Sequence, residues 1–146
     1  MQITFDFDNP TRIVFGSGKL ETLGTLPMPG KKALVLISNG KSTRQNGYLD
    51  RTLAQLKQAG VQTVVWDGIM ENPLRQAVMQ GAAAARENRC DFIVALGGGA
   101  VLDSAVAVSA MATNEGDLWD YVQGGTGKGK PLAHAGLPIV TIPTTS

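Results

Sequence analysis

The sequence holds a single cysteine, Cys90, so the chain can form no internal disulfide. It also holds a single histidine, His134. A catalytic metal normally takes about three protein ligands, and no recognisable spacing supplies them here. Nor does any serine or threonine come with the histidine pattern of a nucleophile–base pair. Net charge is +1 and the basic residues are scattered, which excludes a nucleic-acid footprint and a polybasic membrane patch. No apolar run is long enough to span a bilayer, and the opening "MQITFDFDNP" lacks the basic and apolar regions of a signal peptide. The expected location is the cytoplasm, with neither nucleic acid nor membrane as partner. What is present is a chain of 146 residues, 43% hydrophobic and 17% charged, enough for one domain with its own core (1–146).

Residues 2–7 alternate apolar and polar, as a half-buried strand does. A turn at Asp8-Asn9-Pro10 would return the chain as a second strand over 12–15, making an N-terminal β-hairpin. Ser17 is placed to cap a short helix, "KLETLGTL", that Pro27 and Pro29 end. "KKALVLIS" is an apolar run of the kind found in buried parallel strands. Helical spacing of Leu49, Leu53 and Leu56 predicts a helix over 47–59, stopped by Gly60. "VQTVVWD" is the next strand, and Asn72-Pro73 reads as the cap and first position of a helix through "LRQAVMQGAAAARENR". "FIVAL", a helix over 101–111 and the strand "PIVTI" complete the chain, with "GGTGKGK" as a flexible surface loop between the last two. Strands alternating with helices imply an α/β fold, a Rossmann-like parallel sheet flanked by helices.

In "ALGGGAVLD", three glycines stand where a buried strand passes into a helix. Ligands of open α/β sheets lie beyond the carboxyl ends of the strands. Glycine lets the backbone turn sharply and lets a ligand approach it. The N–H groups at the head of the following helix favour an anion, so the segment is suited to a phosphate. Asp103 stands too near that anion to bind it, but can reach a hydroxyl or amide of the same ligand. The plainer alternative is that the glycines only make a tight strand-to-helix turn. Leu102 occupies the place of the third glycine in the usual dinucleotide fingerprint, so the motif alone specifies a nucleotide or phosphate and not NAD.

"NPTRIVFGSG", Asn72-Pro73, "GGGAVLD" and the terminal "TIPTTS" occur in that order. Together they resemble the N-terminal cofactor-binding domain of the iron-dependent (group III) alcohol dehydrogenase family, over the whole chain. "NPTRIVFG" and "WDYV" resemble most its NADP-dependent butanol dehydrogenase and aldehyde reductase branch. The resemblance implies that Gly97, Gly98 and Gly99 hold a pyrophosphate, with Ala100 beside them where the family usually has serine. It implies Asp103 near the nicotinamide, Asn72 on the adenosine side, and Thr141, Thr144 and Thr145 along the cofactor cleft. Val106 and Leu74 depart from the family's usual lysine and threonine. The same resemblance implies a helical second domain that carries the metal ligands. That C-terminal metal-binding domain is absent here, so the chain is expected to be truncated after Ser146.

The expected function is therefore the NAD(P)-binding half of a metal-dependent alcohol dehydrogenase or aldehyde reductase. It would move hydride between a nicotinamide cofactor and a small alcohol or aldehyde. A divalent metal, iron or zinc, would belong only to the complete two-domain protein, and the isolated chain would be inactive. The alternatives are a non-catalytic nucleotide- or phosphate-binding module, and a degenerate family member kept for assembly. Cofactor choice rests on the segment after "ALVLIS", which reads "NGKSTR" and carries no acid. Gly40 stands about where NAD-preferring relatives carry aspartate. Glycine leaves room for a 2′-phosphate that Lys41, Ser42 and Arg44 can meet, which favours NADP over NAD. The N-terminal hairpin at a sheet edge, with the family resemblance, suggests a homodimer.

Overall fold

The computed structural model describes residues 10–70 and 75–144. The expected strand over 2–7, the helix start at Asn72-Pro73 and Thr145 lie outside these. Among the described residues four strands form one sheet: β1 (Lys32–Ser38), β2 (Gln62–Ile69), β3 (Phe92–Gly97) and β4 (Ile139–Pro143), in the order β2-β1-β3-β4. Every pairing is parallel. Helices α1 (Ser42–Gln45) and α2 (Tyr48–Gln58) connect β1 to β2, α3 (Arg75–Glu87) connects β2 to β3, and α4 (Gly99–Thr113) and α5 (Leu118–Tyr121) precede β4.

The apolar runs of β1 and β3 are unbroken because both faces of the sheet are covered. Ala33, Val35 and Ile37, with Phe92, Val94 and Leu96, pack under Leu49 and Leu56 of α2 and under Leu23. The intervening Leu34, Leu36, Ile93 and Ala95 face Val78 and Ala82 of α3 and Val101, Ala105 and Val108 of α4 on the other side. Each large side chain buried this way contributes about 1.5–3 kcal/mol. Cys90 belongs to this second core, and burial, more than the opposed charges of Lys32 and Asp91, raises its thiol pKa. It is a packing residue.

Two expected elements differ. Residues 12–15 are assigned no strand, and Ile13 and Phe15 are 76% and 92% exposed. Their expected partner, residues 2–7, lies outside the described residues. The helix after Ser17 is a 3-10 helix, Lys19–Thr25, whose N-cap is Gly18 at φ 74° with no side-chain cap bond. The chain enters it through a left-handed turn that glycine takes more readily than serine. "GGTGKGK" is an exposed loop but a bonded one: the N–H groups of Lys128, Gly129 and Lys130 donate to the carbonyls of Trp119, Val122 and Asp120 at 3.1, 2.9 and 2.8 Å. Among the described residues no helix is long and apolar enough to cross a membrane.

Candidate cofactor site at the strand exits

The connection through α2 leaves β1 toward β2 on one face of the sheet, and α3 brings the chain back over the other face to β3. The strand order therefore reverses between β1 and β3, the position where open α/β sheets place ligands. The exits are level. Leu36 pairs with Ala95, so both strands end two residues later, at Ser38 and Gly97. Gly97 in turn pairs with Pro143, and the Thr144 N–H donates to the Gly97 carbonyl at 3.0 Å. Gly97 thus meets Thr144 directly, with Asn39 and Gly40 one strand away.

The three glycines differ physically. Gly97 has φ 156°, and a Cβ there would lie 2.8 Å from Cγ2 of Val101, which is buried. The turn itself explains that glycine. Gly98 is the N-cap of α4, at φ −87° and ψ −168°, an extended conformation open to any residue. Gly99 is the first residue of α4, two residues earlier than its apolar pattern suggested, and a Cβ there would meet nothing within 4 Å. The first helical bonds run from the Val101 and Leu102 N–H groups to the Gly98 carbonyl, both 3.1 Å. The N–H groups of Gly99 and Ala100 lie ahead of this ladder, at the positive end of a 15-residue helix. The turn requires glycine at position 97, whereas position 99 is exposed and has room for a side chain.

Asp103 lies on the same exposed side of α4, one turn beyond Gly99 and about 6 Å along the axis. Val106 continues that side and is 64% exposed. Gly40 is exposed, with only Ser38 Oγ near a built Cβ, at an ordinary 3.5 Å, so the fold does not require glycine there. Lys41 and Ser42 follow it, both exposed. Thr141 is set apart: it sits within β4 opposite Ala95, two residues short of the exit. Asn72 and Thr145 are outside the described residues. His134 lies in an exposed loop, and among the described residues no three His, Cys, Asp or Glu side chains converge on a metal site.

Two features had no sequence signal, because each joins side chains far apart in the chain. A cavity of about 280 Å³ opens below the exits of β3 and β4, lined by Leu96, Ile142 and Thr144 and by Lys19, Tyr48 and Arg51. Arg51 is ion-paired there with Glu21. On the β2 side of the exits, Arg44 Nη2 donates to Asp67 Oδ2 at 3.0 Å.

The family model for iron-containing alcohol dehydrogenases matches residues 10–146. The chain belongs to the iron-containing alcohol dehydrogenase family. Within it, the chain is 36% identical over 118 residues to a probable NADH-dependent butanol dehydrogenase 1 of Bacillus subtilis, covering 81% of this chain and 30% of that protein. It is likewise 36% identical over 102 residues to an NADPH-dependent butanol dehydrogenase of Clostridium saccharobutylicum, covering 70% and 26%. The crystal structure of NADH-dependent butanol dehydrogenase A from Thermotoga maritima superposes with a TM-score of 0.83 at 34% identity, covering 98% of this chain and 35% of that one. The chain therefore spans about a third of the length of these iron-containing alcohol dehydrogenases.

Proposed function

We propose that these residues form the dinucleotide-binding domain of a cytoplasmic, metal-dependent alcohol dehydrogenase or aldehyde reductase, and that the domain prefers NADP to NAD. The observation that carries this is the bare head of α4 at the reversal of strand order. The N–H groups of Gly98, Gly99 and Ala100 would receive the pyrophosphate without steric contest. Asp103 would accept from a hydroxyl or amide toward the nicotinamide end, and Thr144, tied to Gly97, would close the cleft beside β4. Asn72, Thr141 and Thr145 complete the proposed contacts on the family resemblance alone. Gly40 leaves the 2′ side of the ribose open, with Lys41 and Ser42 next to it.

Once bound, the cofactor would give or take the hydride that interconverts a small alcohol and its aldehyde. No metal-assisted step is assigned to these residues. On this proposal the chain binds and orients the cofactor and turns over nothing by itself. Relatives of similar identity are described as NADH- and NADPH-dependent, so they leave the preference to the Gly40 segment.

The test is a pair of calorimetric titrations, NADPH and NADH, on the wild type and on Gly40→Asp. NADPH should bind more tightly to the wild type, and Gly40→Asp should reverse the order by repelling the 2′-phosphate. A wild type that prefers NADH would refute the preference. Binding of neither would refute the cofactor site, and metal-dependent aldehyde reduction by these residues alone would refute their dependence on a second domain. The exposed segment around Ile13 and Phe15 also suits a homodimer, which light scattering across concentrations would test.

A further inference from the structure

The Arg44–Asp67 pair lies beside the proposed ribose subsite. Arg44 is in α1, four residues after Gly40, and Asp67 is in β2. The Asn39 N–H donates to the Ile69 carbonyl at 2.7 Å, which pins the exit of β1, Gly40 included, against the end of β2. A guanidinium and a carboxylate therefore lie at the same corner of the sheet as the open side of Gly40. The side chains of Arg44 and Asp67 are 51% and 60% exposed. Water and salt screen such a pair, so its effect on folding is small and either partner can be exchanged.

We propose that Asp67 is a specificity-determining residue that holds Arg44 away from a 2′-phosphate and so weakens the chain's grip on 2′-phosphorylated nucleotides. The inference rests on the assignment of the Gly40 corner to the cofactor's ribose. A phosphate dianion is a stronger partner than a carboxylate for the guanidinium fork. To engage Arg44 it must displace Asp67, whose charge then remains nearby and repels it. Removing that charge frees the arginine and ends the repulsion. A ribose with a free 2′-hydroxyl is neutral there and is indifferent to both effects.

The experiment uses 2′,5′-ADP and 5′-AMP, which differ only in the 2′-phosphate. Both are titrated calorimetrically into the wild type, Asp67→Asn, Arg44→Gln and the double variant, with thermal melting as a check on folding. Asp67→Asn should tighten 2′,5′-ADP by about fivefold, more at low salt, and leave 5′-AMP unchanged. Arg44→Gln should weaken 2′,5′-ADP and cancel most of the gain in the double variant. An Asp67→Asn protein that shifts both nucleotides alike, or neither, overturns the role of Asp67. A wild type indifferent to the 2′-phosphate, in which Asp67→Asn creates a preference, would overturn the NADP preference but support the restraint by Asp67. Binding of neither nucleotide to any variant would overturn the cofactor assignment and this inference with it.

Discussion

Gly97→Ala and Gly99→Ala, two residues apart, should give opposite results. At position 97 the added methyl carbon falls 2.8 Å from Val101 Cγ2 and 3.1 Å from its Cβ, on a backbone at φ 156°. Val101 is only 2% exposed and cannot move aside. Overpacking and backbone strain together should cost about 2–4 kcal/mol. At position 99 the methyl meets nothing, in a helix where alanine is favoured over glycine by up to about 1 kcal/mol. Gly99→Ala should therefore melt at or above the wild-type temperature, by up to about 4 °C. Yet its methyl would stand at the head of α4 where the pyrophosphate is proposed to rest. Loss of one charge-assisted backbone bond, about 1.5–3 kcal/mol, would weaken NADPH by about tenfold or more. Thermal melting and calorimetry on the same samples separate the two effects. A Gly99→Ala protein that binds NADPH like the wild type would remove the phosphate from this helix head. One that melts far below the wild type would show that the fold requires this glycine after all.

Helices α2 and α3 end in the same bonding pattern, with Gly60 and Arg89 in the left-handed position at φ 79° and 56°. In urea unfolding Gly60→Ala should lose about 1 kcal/mol, and Arg89→Gly should gain several tenths, as glycine's freer unfolded chain offsets part of the relief. Asn114, 5% exposed, donates to the carbonyls of Ala110 and His134 and accepts from the N–H groups of Ala133 and His134 at 2.8–3.0 Å. Asn114→Ala should lower stability by about 2–3 kcal/mol in the same assay, because it unties the loop that leads into β4. Burial pulls the Asp91 carboxyl upward, but bonds from the Lys31, Lys32 and Asp91 N–H groups and the Lys31 charge outweigh it and hold its pKa below the ordinary 3.8. Its stabilisation is thus complete above that value and is lost as pH falls through the lower folded one, so Asp91→Asn should be less stable at neutral pH and lose less stability on acidification.

The interior strands were legible because a parallel sheet covered on both faces needs unbroken apolar runs, and few other environments do. "ALVLI" and "FIVAL" are fully buried, as such runs require. Helix α2 was legible from the spacing of Leu49, Leu53 and Leu56 together with Gly60. The start of α4 was not, since its apolar rhythm begins at Val101 while the helix begins two residues earlier, in glycines that read locally as loop. The ion pairs of Arg44 with Asp67 and of Arg51 with Glu21 span 23 and 30 residues and leave no periodic trace.

The sequence also cannot distinguish a glycine the fold needs from one it merely permits. A virtual Cβ makes that distinction: Gly97 has no room for one, whereas Gly99 and Gly40 do. Those two stand just past the exits of β3 and β1, on either side of the reversal in strand order. With glycine at both positions, the backbone at Gly40 and the backbone at Gly99 are each left open to a ligand. On the proposed assignment the pyrophosphate would rest over the head of α4 and the adenosine ribose over Gly40. On that assignment the ribose would lie on the β2 side of the site, so the charges of Arg44 and Asp67, and not those around the Lys19–Arg51 cavity beside β4, should decide between NADP and NAD.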